Sequence, residues 1–144
     1  MRVFENDRSV PGTVWTRRSE KPGGFTFARS EYETLLELAE GAYPREACGL
    51  MLGTHEDGFI TVHSVQPTRN LATADDHFDL DPGDIVRLDR TARERNQQIV
   101  AVWHSHPDAD GKPSREDLLG QWGGVAQVIV SVWDGGAGEV WVWS

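Results

Sequence analysis

The chain is poor in cysteine: Cys48 stands alone among 144 residues. One thiol excludes an internal disulfide framework and fits a reducing compartment. Basic charge is scarce too, with 14 Lys and Arg against 23 Asp and Glu and a formal charge of −9. A general nucleic-acid or anionic-membrane partner wants a basic face, so neither is expected. No apolar run approaches the roughly 18 residues of a membrane-spanning helix. The opening MRVFENDRSVPGTVWTRRSE lacks an apolar h-region. A soluble, cytoplasmic protein is the expectation. Internal repeats and low-complexity blocks are also missing. What is present is an ordinary globular composition with six Trp, in a chain long enough to build one domain around its own core.

Charge is uneven along that chain. Residues 1–30 carry six basic and three acidic side chains, so all of the net negative charge lies beyond them. Pro11, Gly12, Pro22, Gly23 and Gly24 punctuate this region. Residues 1–24 therefore read as a loosely ordered N-terminal arm, and 25–144 as the domain.

Within the domain, FTFAR (25–29) alternates like a short strand. Ser30 and Glu33 have the spacing of a capping box, and Tyr32, Leu35, Leu36, Ala39 and Tyr43 follow at helical spacing, up to Gly41–Pro44. ACGLMLGT (47–54) suits a buried strand, and FITVHSVQ (59–66) alternates after a DG turn, as a hairpin would. TRNLATADDHFDL reads as a loop ending in a short strand. Asp81 as N-cap with Pro82 at the first helical position opens a second helix, with Ile85, Leu88 and Ala92 as its buried stripe. IVAVWHSH (99–106) is a nearly continuous apolar strand, SREDLLGQW a short helix, and QVIVSVW (127–133) and EVWVW a closing hairpin across DGGAG. The alternation gives α/β with a mixed sheet. EVWVW is apolar on both faces, so a helix, the N-terminal arm or a second subunit must cover it. A homodimer is one such arrangement.

The stretch WHSHPDADGKPSREDL holds the chemistry. On a strand His104 and His106 share a face and Ser105 takes the other. Two imidazoles at a strand end can share a zinc ion, which in catalytic sites takes three protein ligands and leaves a fourth place for water. Pro107 stops the strand, and the polar run to Pro113 is long enough to fold back. Asp117, in the first turn of the next helix, can supply a carboxylate. Taken alone, H-x-H is a weak signal, and Ser114 to Asp117 is equally an ordinary helix cap.

The whole string HSHPDADGKPSRED resembles the signature of the JAMM (MPN-plus) metallopeptidases, H-[ST]-H-P, six residues, then S-x-x-D. PREACGLMLG (44–53) adds Glu46 just ahead of a C-G-x-x-x-G strand, as in that family. A weaker likeness runs from about Phe25 to Trp143, and includes HFDLDP before the second helix. The resemblance implies a single JAMM/MPN-type domain, with a mixed central sheet flanked by helices in a cytidine-deaminase-like layering. It implies one zinc ion held by His104, His106 and Asp117, Glu46 as general base and then acid, and Ser114 donating to the oxyanion. Bottom-up, Glu46 competes with Glu31, Glu33, Glu37 and Glu40, and only the resemblance singles it out. Cys48 reads as a small buried residue, His55, His63 and His77 as surface or strand residues, and Asn70 as a turn residue that could alternatively hold substrate.

The implied function is a zinc-dependent isopeptidase. It would hydrolyse an amide at the C-terminal Gly-Gly tail of a ubiquitin-like or sulfur-carrier protein, for example releasing cysteine from a carrier–cysteine adduct. The rivals are a non-catalytic MPN-type scaffold, disfavoured because all five positions are retained, and a cysteine hydrolase pairing Cys48 with His104 or His106.

Overall fold

A computed structural model describes residues 2–4, 13–14, 17–18, 21–22, 24–74, 77–115, 117 and 122–143. Its centre is an eight-stranded mixed sheet in the order β1-β10-β9-β8-β6-β7-β5-β2. The strands are β1 (Arg2–Phe4), β2 (Thr13–Val14), β5 (Gly24–Phe27), β6 (Cys48–Glu56), β7 (Phe59–Pro67), β8 (Gln98–Pro107), β9 (Ala126–Trp133) and β10 (Gly136–Trp143). Two short strands, β3 (Arg17–Arg18) and β4 (Lys21–Pro22), pair separately. Among the described strands only β5–β7 and β8–β9 are parallel. The mixed α/β architecture is the one expected.

Two helices lie on opposite faces. α1 (Arg29–Ala42) buries Tyr32, Leu35, Leu36 and Ala39 against Met51, Ala101, Trp103 and the valines of β9. α2 (Pro82–Glu94) buries Leu88 and Ala92 against Leu50 and Leu52, with Ile85 and Val102 packed alongside. Strand alternation sends Met51 to one helix and Leu50 and Leu52 to the other, which is how one apolar strand feeds two cores.

α2 starts as expected, the Asp81 carboxylate accepting from the Gly83 N–H with Pro82 in the first turn. The capping box expected at Ser30 is absent. α1 begins at Arg29 behind Ala28, no side chain caps it, and the Ser30 hydroxyl donates to Glu31 instead. The helix takes up directly after β5 ends at Phe27, so Ser30 lies already inside its first turn. Among the described residues the short strand expected before Asp81 is also missing, and a single bridge, Asn70 to Leu80, forms. Most of the helix expected at SREDLLGQW lies outside the described residues, with Arg115 and Asp117 helical. Asp57 and Gly58 both have positive φ and close the β6–β7 hairpin. A register shift between Leu52 and Gly53 then moves the buried positions of β7 from Ile60 and Val62 to Val65.

The valine face of β10 is covered. Val140 and Val142 are fully buried beneath α1, and β1 pairs along its free edge, Arg2 to Val142 and Phe4 to Val140. None of the described helices is long and apolar enough to cross a membrane.

The glycine in ACGLMLG has a steric reason. A Cβ at Gly49 would overlap the Gln66 carbonyl oxygen and the indole of Trp103. Trp103 is fully buried and its indole N–H donates to that same carbonyl at 3.1 Å. Gly49→Ala is therefore expected to lower stability by about 1–3 kcal/mol, as overpacked cores do. A denaturant midpoint equal to that of the unsubstituted protein would show the strand has more room than its geometry implies.

Candidate active site

The site is assembled by the ladders of β8. His104 pairs with Cys48 across the antiparallel β6 contact. Ser105, fully buried on the opposite face from the histidines, accepts from the Ala47 N–H at 2.8 Å through its hydroxyl, and its own N–H donates to the Ala47 carbonyl. Continuing the register places Glu46 beside His106. It is 6 % exposed, a buried carboxylate unlike the glutamates of α1. Glu46, His104 and His106 offer ligand atoms that all lie within 4.8 Å of one another.

Asp117 completes the cluster from the other side. Its Oδ2 is 3.2 Å from His104 Nε2 and 3.1 Å from His106 Nε2, and the two imidazole nitrogens are themselves 3.1 Å apart. Three donor atoms thus form a nearly equilateral triangle. Ligands at about 2.0 Å from a tetrahedral ion would be separated by roughly 3.3 Å, so the triangle fits one cation. The protonation pattern agrees. His106 Nδ1 lies 2.6 Å from the Asp110 carbonyl, a contact that needs its proton, and the neutral ring then has a bare Nε2 facing its neighbours.

Electrostatics within the triangle are lopsided. Burial pushes His104 below the ordinary imidazole value despite Asp117 beside it. Burial opposes protonation of His106 too, but Asp117 and the Asp110 carbonyl outweigh it and raise that ring. Burial would raise Asp117, yet both imidazoles and the Ser114 N–H hold its carboxyl well below the usual range. His104 stacks on Phe78 with ring centroids 4.2 Å apart.

Ser114 and Asp117 do form a reciprocal cap: the Asp117 N–H donates to the Ser114 hydroxyl oxygen, and the Ser114 N–H donates to Asp117 Oδ2 at 2.8 Å. The same oxygen, Oδ2, faces both the cap and the histidines. As cap, Ser114 uses a lone pair, and its hydroxyl proton is not consumed by that bond.

The loop after β8 is fastened at several points. Asp108 accepts from the Tyr43 hydroxyl and the Asp134 N–H, and both hold its carboxyl below the usual range. Trp143 donates to the Gly111 carbonyl, and Trp141, stacked parallel on Trp143, covers Gly111 so closely that a Cβ there would overlap its indole. This anchoring presents the Asp110 carbonyl to His106. Nothing in the sequence singles out Gly111, and EVWVW was expected only to be covered by a helix, the N-terminal arm or a second subunit. Asn70 is a fastening residue as well. Its amide donates to the Glu46 and His77 carbonyls and accepts from the Ala72 and Asp79 N–H groups. Those four bonds fill its capacity, so the substrate-holding alternative does not apply.

His55 and His63 are exposed strand residues, as expected; His77 is exposed and lines the pocket described next. Cys48 is buried, its sulfur 3.5 Å from the Thr68 hydroxyl, and burial pushes its thiol up. A pocket of about 630 Å³ opens onto the cluster, with Glu46, His106, Ser114 and Asp117 in its wall.

Comparison with known proteins bears on the family and the fold. The model of the prokaryotic homologs of the JAB domain matches residues 28–144. A Haloferax volcanii protein named desampylase is 31% identical over 97 residues, 66% of this chain and 68% of its own length. Tail tip assembly protein K of Escherichia phage N15 is 36% identical over 86 residues, 59% of this chain; the chain spans 31% of that longer protein. A solution structure of a Desulfitobacterium hafniense protein superposes with a TM-score of 0.69 at 27% identity, covering 80% of this chain and 88% of that one. The match runs through both motif blocks, and the chain belongs to the prokaryotic JAB-domain family, of the JAMM/MPN kind its sequence resembles.

Proposed function

We propose that the protein is a zinc-dependent isopeptidase. Its substrate would be an amide at the Gly-Gly tail of a ubiquitin-like or sulfur-carrier protein, with a carrier–cysteine adduct as one example. What carries the reading is the triangle of His104, His106 and Asp117, three lone-pair donors within 3.2 Å of one another in a buried wall. The similarity to a desampylase supports a ubiquitin-like substrate class. A diglycine tail suits a narrow cleft because it brings no side chains to exclude.

Zinc bound by these residues supplies Lewis acidity, polarising a carbonyl and making water acidic near neutral pH. The remaining steps belong to the chain. Glu46, buried beside His106, takes a proton from the attacking water and returns it to the leaving amine. The Ser114 hydroxyl, whose proton the cap leaves available, donates to the developing oxyanion; such a donor contributes about 3 kcal/mol to lowering the barrier. The Asp110 carbonyl fixes the His106 ring so that Nε2 stays a ligand. A non-catalytic scaffold has no use for a buried base, an oxyanion donor and three converging ligands together.

Glu46→Gln is expected to retain one equivalent of zinc and lose turnover by about 10²–10⁴-fold; metal content and kcat check it, and turnover at the unsubstituted rate would remove Glu46 as the base. His106→Ala is expected to lose the metal. Asp117→Asn should weaken zinc more than folding, so an unchanged metal content with a lower melting temperature would make Asp117 a cap and nothing more.

A raised thiol pKa keeps Cys48 protonated at neutral pH, with thiolate appearing only above the ordinary cysteine range. The folded protein should then resist alkylation at pH 7, by intact mass, while a chelator abolishes activity and zinc restores it. Activity indifferent to chelator but lost on alkylation would establish the cysteine-hydrolase reading instead.

A further inference from the structure

The two histidines of the cluster are held in different ways. His106 Nδ1 meets the Asp110 carbonyl at 2.6 Å, the kind of contact that usually fixes the ring of a metal-ligating imidazole. His104 lacks a counterpart. It is fully buried, and its Nδ1 has no hydrogen-bond partner among the described residues. An orphaned buried nitrogen is uncommon and costly. It also leaves the ring unaligned, because the torsion that turns an imidazole on its Cβ has only broad preferences. Strand alternation sends His104 to the right face of the sheet but does not set the plane of its ring.

What lies along that plane is Phe78. The two rings stack with centroids 4.2 Å apart and planes 20° from parallel. Phe78 belongs to the pocket wall and His104 does not. Phe78 is itself clamped on both sides. The Asn70 amide donates to the His77 carbonyl at 3.1 Å and accepts from the Asp79 N–H at 2.9 Å, one bond to each chain neighbour of Phe78. The Asp79 carbonyl in turn accepts from the Leu71 N–H at 2.8 Å. The Asn70 amide also donates to the Glu46 carbonyl, which ties this clamp to the segment carrying the proposed base.

We infer that Phe78 is a positioning residue: its ring, stacked on His104, holds the imidazole plane so that Nε2 converges with His106 and Asp117, and does for His104 what the Asp110 carbonyl does for His106. The inference rests on the zinc reading of that triangle. A near-parallel aromatic face resists rotation of the imidazole, since turning the ring would drive its edge into the phenyl carbons. An aliphatic side chain of similar volume presents no plane and leaves the imidazole free to turn. The bonds from Asn70 on either side of Phe78 keep the phenyl ring from yielding.

The test reads the metal, independent of turnover. Zinc dissociation constants are measured by competition with a chromophoric chelator for the unsubstituted protein, Phe78→Leu and Phe78→Tyr, and each is loaded with cobalt for its visible absorption spectrum. Leucine keeps apolar bulk and removes the plane; tyrosine keeps the plane. Phe78→Leu should weaken zinc by about 10–100-fold, as loss of a ligand-orienting partner does, and shift the cobalt bands. Phe78→Tyr should restore both. Melting temperatures of the zinc-free proteins check that each variant folds, and Phe78→Met takes the aliphatic arm if the leucine variant does not. Zinc held as tightly by the aliphatic variant, with an unchanged cobalt spectrum and a lower zinc-free melting temperature, would make Phe78 packing alone and overturn the inference. A tyrosine variant as weak as the leucine one overturns it too. Failure of the unsubstituted protein to take up zinc is a different result, and sinks the reading of the triangle itself together with the role of Phe78.

Discussion

The structure depends on β8 lying between an antiparallel and a parallel neighbour in one register. Ser105 shows why that register matters. It sits between the two histidines and points away from them, where its hydroxyl and its N–H bind both backbone groups of Ala47. A slip of one residue would turn His104 and His106 toward α1 and bring Ser105 to the pocket. Both ladders of β8 would have to move with it, and so would Trp103, which fills the core on the far side. The hydrophobic fit of Trp103 over Gly49 and the placement of the histidines are one constraint.

The cluster concentrates unfavourable electrostatics that the fold must tolerate. Two imidazoles and a carboxylate face each other within 3.2 Å in a buried place. A proton can bridge only one pair of three lone pairs, whereas a cation satisfies all three. The opposing shifts of His104 and His106 express the same frustration, one ring refusing a proton and the other attracting it. Rigid surroundings hold this arrangement in place. Asn70 ties the segment ahead of β6 that carries Glu46 to the segment carrying Phe78, and Trp143 ties down the loop that presents Asp110. Polar groups that strengthen a site this way must be fully satisfied, and Asn70 meets that condition.

Local signals were legible where one or two residues decide the conformation. Asp81 with Pro82 announced α2, and the DG dipeptide announced the β6–β7 hairpin, because capping and positive φ are properties of the residues themselves. Ser30 misled because a helix begins where the preceding strand releases it, and β5 releases the chain three residues earlier. Asn70 and Leu80 make one bridge in place of a strand, since the Asn70 amide already satisfies the backbone groups a ladder would have paired.

The sequence by itself determined the mixed α/β pattern, the shared face of His104 and His106, and the helix start that carries Ser114 and Asp117. Those follow from strand alternation and from spacing along one short segment. In the sequence only the resemblance sets Glu46 apart from the glutamates of α1; the physical difference, burial and nearness to His106, comes from the register of β6 on β8, set by contacts more than fifty residues apart in the chain. The same holds for Gly111 and Asp110. Neither stands out in the sequence, and each matters through a neighbour that loop closure brings within reach.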